Sequence, residues 1–215
     1  MIRRETLLVG GAIGAVLLFV AMAAAVRAGT FQALDRALIE DARAISTPAL
    51  DRIMLIITSL GWGPLVVAEC LAVSVWSWLR GDRVGAIALS TIGLSVVAAT
   101  DLLKSGFGRA RPDLLRHDLV TFAFPSGHSM TALAVYGMLF AVLARRLPRA
   151  RAVCWIAGVL VALLVGLSRV YLAVHWPTDV VGGWAFGGVL LCLGALALLR
   201  WPHHHDAGRI RQEAP

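Results

Sequence analysis

Three short runs along the chain carry residue types that phosphoryl transfer requires. They are Lys104 with Arg111-Pro112, then Pro125-Ser126-Gly127-His128, then Ser168-Arg169 with His175 and Asp179. A phosphate spreads two or more negative charges over several oxygens, and an arginine fork grips such a group bidentately while lysine acts as a point charge. Lys104, Arg111 and Arg169 supply three cations. Pro-Ser-Gly reads as a helix entry, where free backbone N–H groups and the positive dipole end favour an anion and the Ser126 hydroxyl adds a donor. In the third run Pro177 opens a helix, so Asp179 falls in its first turn and reaches back to His175. A carboxylate on one imidazole nitrogen fixes the tautomer and raises the nucleophilicity of the other. His128 then stands as a second, separate histidine for proton transfer. Read singly, each cation would be an interfacial anchor and each histidine a stray polar residue. Their order and spacing speak against that reading.

The elements that hold these residues are apolar. Hydrophobic residues make up 59% of the 215 and charged residues 15%, with mean hydropathy +0.78. Soluble domains run nearer 45–50% and roughly 25%. The excess gathers in runs of about 20 residues, the length that crosses a ~30 Å hydrocarbon core as a helix. The sequence therefore predicts an all-α integral membrane bundle with spans near 7–26, 53–79, 84–103, 125–144, 152–172 and 178–199. It reads as a single domain over 1–215. The first run follows Arg3 and Arg4 like a secretory signal, but it exceeds the usual signal core and is read as a retained span. The second is too long for one straight crossing, and Gly61-Trp62-Gly63-Pro64 predicts a break with the main helix starting near Pro64. Between spans one and two, Phe31, Leu34, Leu38, Ala42 and Ile45 recur at helical spacing among charges. They predict an amphipathic interfacial helix over 28–52, ended by Thr47-Pro48.

Charge sets the orientation. With a cytoplasmic N-terminus, Arg3, Arg4, Arg80, Arg83, Arg145, Arg146, Arg149, Arg151, Arg200, Arg209 and Arg211 lie inside. The remaining nine Lys and Arg lie outside, and only six of those are left once Lys104, Arg111 and Arg169 are set aside. Both termini are expected in the cytoplasm, and all three motif runs then fall on the opposite, periplasmic or exterior side of the cytoplasmic (inner) membrane. The net charge of +7 is read as loop arginines beside anionic lipid; no nucleic-acid partner is expected. Cys70, Cys154 and Cys192 lie inside apolar runs with neither zinc nor disulfide spacing.

The runs together match, at every specified position, the three-part signature of the type 2 phosphatidic acid phosphatase (PAP2) superfamily, which the chain resembles over 104–179. That resemblance implies a six-helix bundle hydrolysing phosphoesters without metal or cofactor, through a phospho-histidine. It implies His175 as nucleophile, Asp179 as its orienting carboxylate and His128 as general acid. It implies Lys104, Arg111, Ser126, Gly127 and Arg169 as the phosphoryl-binding set. The residues divide the labour the same way: in-line displacement wants a nucleophile and a proton donor on opposite sides of phosphorus, and three cations can neutralise its oxygens.

The substrate expected is a lipid phosphate or diphosphate, such as undecaprenyl diphosphate, phosphatidate or phosphatidylglycerophosphate. The alternative is lipid-to-lipid phosphotransfer through the same intermediate. A transporter would have no use for a nucleophile with its own orienting acid. Membrane lipids are the other partner, and oligomeric state is not encoded in any motif. Several residues stay open. Arg109 and Arg116 either grip a second phosphate or hydrate a loop, the latter preferred. Asp101 is close enough to pair with Lys104, and reads equally as an interfacial acid at a helix end. Glu69, an intramembrane acid, is expected to pair with a neighbouring helix. His117 has no assigned role, and His203-His204-His205-Asp206 is read as a solvated tail.

Overall fold

The computed structural model describes residues 2–112 and 121–201. Arg116, His117 and the 203–206 tail lie outside the described residues. Among those described, every regular element is helical. α1 (Ile2–Ala28) is apolar on all sides and ends where Gly29 turns with φ +69°. α2 (Gln32–Ala44) lies in the expected interfacial stretch but is shorter than 28–52. Thr47 does not simply end it: its side-chain oxygen accepts the Leu50 N–H at 3.2 Å and caps α3 (Pro48–Ser59). Arg52 therefore belongs to α3. Proline is welcome there because the first-turn N–H has no helical partner.

The break in the second apolar run is present. α3 and α4 (Gly63–Leu79) meet at a 47° bend, so the pair counts as one broken crossing. α5 (Arg83–Phe107) begins on the Asp82 side chain, which accepts the Gly85 N–H, and closes on Gly108 at φ +59°, where a left-handed residue costs least. α6 (Gly127–Thr131), a π turn over Ala132–Tyr136, and α7 (Gly137–Arg146) form one continuous rod. α8 (Arg151–Tyr171) and α9 (Pro177–Arg200) complete the bundle. Among the described residues five helices are long and apolar enough to span a membrane, six with the bent pair taken as one span.

The α6–α7 rod is the axis of the bundle. Met130, Val135, Met138 and Val142 are sealed against Leu89 and Ile92 of α5 and Val165 of α8. α1 lies along α9, α4 along α5, and α3 leans on α8. Around this core, Leu7, Leu17, Leu94, Ile156 and Leu167 are exposed. On a soluble protein so continuous an apolar surface would be an interaction site; here it faces lipid. α9 meets the rod through glycine. A Cβ on Gly183 would lie 2.5 Å from the Ser126 carbonyl, and one on Gly187 2.7 Å from that of Met130. Both positions demand glycine, because the obstacle is backbone.

Two polar locks cross the bundle. At the end bearing Arg80 and Arg146, Arg146 donates to the Arg80 carbonyl at 2.9 Å and faces the Asp82 carboxylate at 3.7 Å. Nearer the middle, the Tyr136 hydroxyl at the end of the π turn lies 2.7 Å from the Leu60 carbonyl and 2.6 Å from Glu69 Oε2. Glu69 thus meets a neighbouring helix, and the lock sits on the bend of span two.

Candidate active site

The site forms at one end of the bundle, where α5 and α8 finish and α6 and α9 begin. After α8, residues 172–176 turn the chain with Ala173 at φ +53°. The Arg169 carbonyl holds the turn by accepting the N–H groups of Val174 and His175. That turn delivers His175, 1% exposed, against the first turn of α9. Asp179, fully buried, accepts the Trp176 N–H on Oδ2 at 2.9 Å, and the same oxygen lies 3.5 Å from His175 Nδ1. The i,i+4 spacing on a helix start is what brings carboxylate and imidazole together. Nδ1 is thereby the nitrogen turned to the acid, and Nε2 points the other way.

Nε2 meets a cation. Arg111 Nη1 lies 3.3 Å from it and donates to the Val174 carbonyl at 2.6 Å. Arg111 also donates through Nε to the Thr121 carbonyl at 2.7 Å and through Nη2 to the Thr121 hydroxyl at 2.8 Å. The guanidinium is held by backbone on two loops and presented at the His175 ring. Arg169, 9% exposed, donates from Nη1 to the Thr58 hydroxyl of α3 at 2.6 Å, and its Nε has no partner among the described residues. The ammonium of Lys104, one turn before the end of α5, makes no hydrogen bond or ion pair among the described residues, and neither does the Asp101 carboxylate. The suggested Asp101–Lys104 pair is not formed.

The second run enters its helix two residues later than the sequence suggested. Pro125 precedes the helix and Ser126 is the N-cap, its oxygen accepting the Ser129 hydroxyl at 3.0 Å and the Ser129 N–H at 3.4 Å. The Ser126 N–H is not open to an anion: it donates to the Asp179 carbonyl at 2.9 Å and ties the second run to the third. Gly127 follows, packed on Thr100 of α5. His128 stands in the first turn of α6 against Gly61 at the bend of span two, where an added Cβ would lie 2.6 Å from its Cδ2. It lies within charge–charge reach of His175, Lys104, Arg111 and Arg169.

Burial holds the His175 pKa well below its ordinary 6.5, and the charges of Arg169, Arg111 and Lys104 push it further in the same direction. A neutral imidazole with a free Nε2 is the form a nucleophile needs. Burial also lowers Arg111 from its ordinary range, with Asp179 opposing. Among the described residues no three His, Cys, Asp or Glu side chains converge into a metal-binding group.

Arg109 is neither a loop residue in water nor a spare phosphate grip. Nη1 is bonded to Asp179 Oδ1 and donates to the Thr178 hydroxyl at 2.8 Å; Nη2 donates to Asp35 of α2 at 2.8 Å. Asp35 carries no signal of this role in the sequence, and neither do Thr58 and Thr121. Arg109 stands two residues from Arg111, but nothing in its spacing points to an acid on α2.

The PAP2 superfamily model matches residues 84–202. Phosphatidylglycerophosphatase B of Bacillus subtilis is 36% identical over 82% of this chain and 89% of its own length. A lipid A 1-phosphatase of Rhizobium etli is 37% identical over 54% of this chain and 51% of its own. The crystal structure of a transmembrane PAP2-type phosphatidylglycerolphosphate phosphatase from Bacillus subtilis superposes with TM-score 0.84 at 29% identity, covering 90% of this chain and 98% of that one. The family model covers more than half of the chain and a relative 36% identical matches most of it, and the chain belongs to the PAP2 superfamily.

Proposed function

We propose that this lipid phosphatase removes the terminal phosphate of a membrane lipid phosphate or diphosphate through a phosphohistidine at His175, without a metal. His175 Nε2 forms a bond to phosphorus as the bond to the lipid oxygen breaks, and His128 gives that oxygen its proton. Water then attacks the phosphohistidine, His128 takes a proton from it, and inorganic phosphate leaves. Lys104, Arg111 and Arg169 offset the charge on the phosphoryl oxygens, with the Ser126 hydroxyl and the start of α6 as further donors. The observation that carries this reading is the buried His175, with Nδ1 facing Asp179 and Nε2 facing Arg111.

Phosphatidylglycerophosphate is the first substrate to test, because a relative matching most of the chain carries that activity in its name. Phosphatidate and undecaprenyl diphosphate complete the panel. The purified protein in detergent should release inorganic phosphate from at least one of them with excess EDTA present, and vanadate should inhibit. Loss of turnover in EDTA with recovery on adding magnesium would sink the metal-free mechanism. Phosphoryl transfer to an added lipid alcohol with no free phosphate would make the protein a transferase instead.

A further inference from the structure

A carboxylate buried on an interfacial helix is costly unless it is paired and hydrogen-bonded. Asp35 is 1% exposed, while its neighbours Leu34 and Leu38 point out of the molecule. α2 therefore turns Leu34 and Leu38 outward and Asp35 inward, with Ile39 buried one turn further on. Asp35 Oδ1 accepts the Thr178 N–H at 2.9 Å, and Oδ2 accepts the Thr178 hydroxyl at 2.6 Å and Arg109 Nη2 at 2.8 Å. These bonds complete the first turn of α9. Pro177 has no N–H, Thr178 gives its own to Asp35, and Asp179 gives its own to the Trp176 carbonyl. A helix start that would ordinarily be capped from its own chain neighbours is capped from α2.

The second consequence is electrostatic. Arg109 stands between Asp35 and Asp179, with its guanidinium carbon 5.7 Å from the centre of the Trp176 ring. We infer that Asp35 is a positioning residue for His175, acting through Arg109 and Asp179. The row of carboxylate, guanidinium and carboxylate carries one net negative charge and ends 3.5 Å from His175 Nδ1. When Nε2 bonds to phosphorus and Nδ1 keeps its proton, the ring becomes cationic, and that net charge stabilises it. Without Asp35, the charge of Arg109 would fall wholly on Asp179 and the row would be neutral. The same bonds fix the geometry: Arg109 takes Oδ1 of Asp179, while Oδ2 accepts the Trp176 N–H and faces His175 Nδ1 at 3.5 Å.

The inference rests on the phosphohistidine reading, and the test separates the two. Asp35→Asn keeps an oxygen for the Thr178 N–H and removes the charge. Its kcat should fall about ten-fold with KM unchanged, since a charge near a buried site is weakly screened while the phosphate-holding cations are untouched. Thermal unfolding in detergent, measured alongside, gives the folded fraction to which that kcat is referred. Arg109→Gln leaves the α9 cap in place but releases Oδ1 of Asp179, so it should lower kcat through the lost orientation of that carboxylate although the row gains negative charge, and it keeps the test open if Asp35→Asn does not fold. In the Arg109→Gln background Asp35→Asn should cost little, because the link is already cut. A wild-type kcat in Asp35→Asn, a loss that tracks the folded fraction, or an equal cost in both backgrounds overturns the inference alone. Wild-type turnover that survives His175→Ala overturns the phosphohistidine reading, and this inference with it.

Discussion

His175 is sealed beside Asp179, whereas His128 stands on the first turn of α6 against Gly61. The two settings suit the two proposed roles. One is a neutral nucleophile kept from solvent, the other a proton donor at the mouth of a helix. A general acid contributes roughly 10²–10⁴-fold, and less when the leaving oxygen is already acidic. His128→Ala should therefore lose most activity on a lipid phosphate and retain measurable activity on p-nitrophenyl phosphate, while Asp179→Asn should be intermediate on both. Equal losses on the two substrates would remove His128 from the proton-donor role. The pH profile should be bell-shaped, and the burial of His175 fixes its acid side. A group that must be neutral loses activity when it protonates, and a lowered pKa moves that loss to lower pH. The acid limb of kcat/KM should lie below the ordinary 6.5 of histidine; a limb above that value would contradict the assignment.

At the scale of elements, the bend of span two matters as much as any motif. Gly61 packs against His128, and Tyr136 reaches across from the π turn to the Leu60 carbonyl and holds the bend. Gly61→Ala would press a methyl group onto the imidazole, and displacing a reacting group by about 1 Å costs on the order of a hundred-fold. Lipid phosphatase kcat should fall steeply while p-nitrophenyl phosphate turnover falls less. An unchanged ratio would mean that Gly61 does not position His128. The break itself was legible, because Gly-Trp-Gly-Pro cannot continue a straight helix, and so were the six apolar runs and the three motif runs. The orientation of α2 was not. Leu34 and Leu38 repeat at helical spacing, but beside a membrane an apolar face is as content in lipid as in protein, so periodicity could not say that Asp35 turned inward. The π turn over Ala132–Tyr136 has no sequence signal at all; Ala-Leu-Ala-Val-Tyr reads as ordinary helix. Ser126 as a cap was half visible, since Pro-Ser-Gly marks a helix entry without saying which residue caps it.

The whole molecule is a bundle with chemistry at one end and arginine locks at the other. The positive-inside bias favours the Arg145–Arg151 end in the cytoplasm and the site outside. In a background lacking Cys70, Cys154 and Cys192, Ala110→Cys should react with an impermeant thiol reagent in intact cells, and Arg149→Cys only after lysis. The reverse pattern would invert the proposed topology. Every proposed role in the site serves the covalent step at His175. The most direct measurement mixes the purified protein with phosphate-labelled phosphatidylglycerophosphate or another substrate from the panel, quenches at high pH where phosphohistidine survives, and maps the label by peptide mass. The covalent mechanism predicts one phosphoryl group on the peptide holding His175, present in the wild type, accumulating in Asp35→Asn no faster than in the wild type, and absent in His175→Ala. Label on the His128 peptide, or normal phosphate release with no label on His175 at any time, would contradict it.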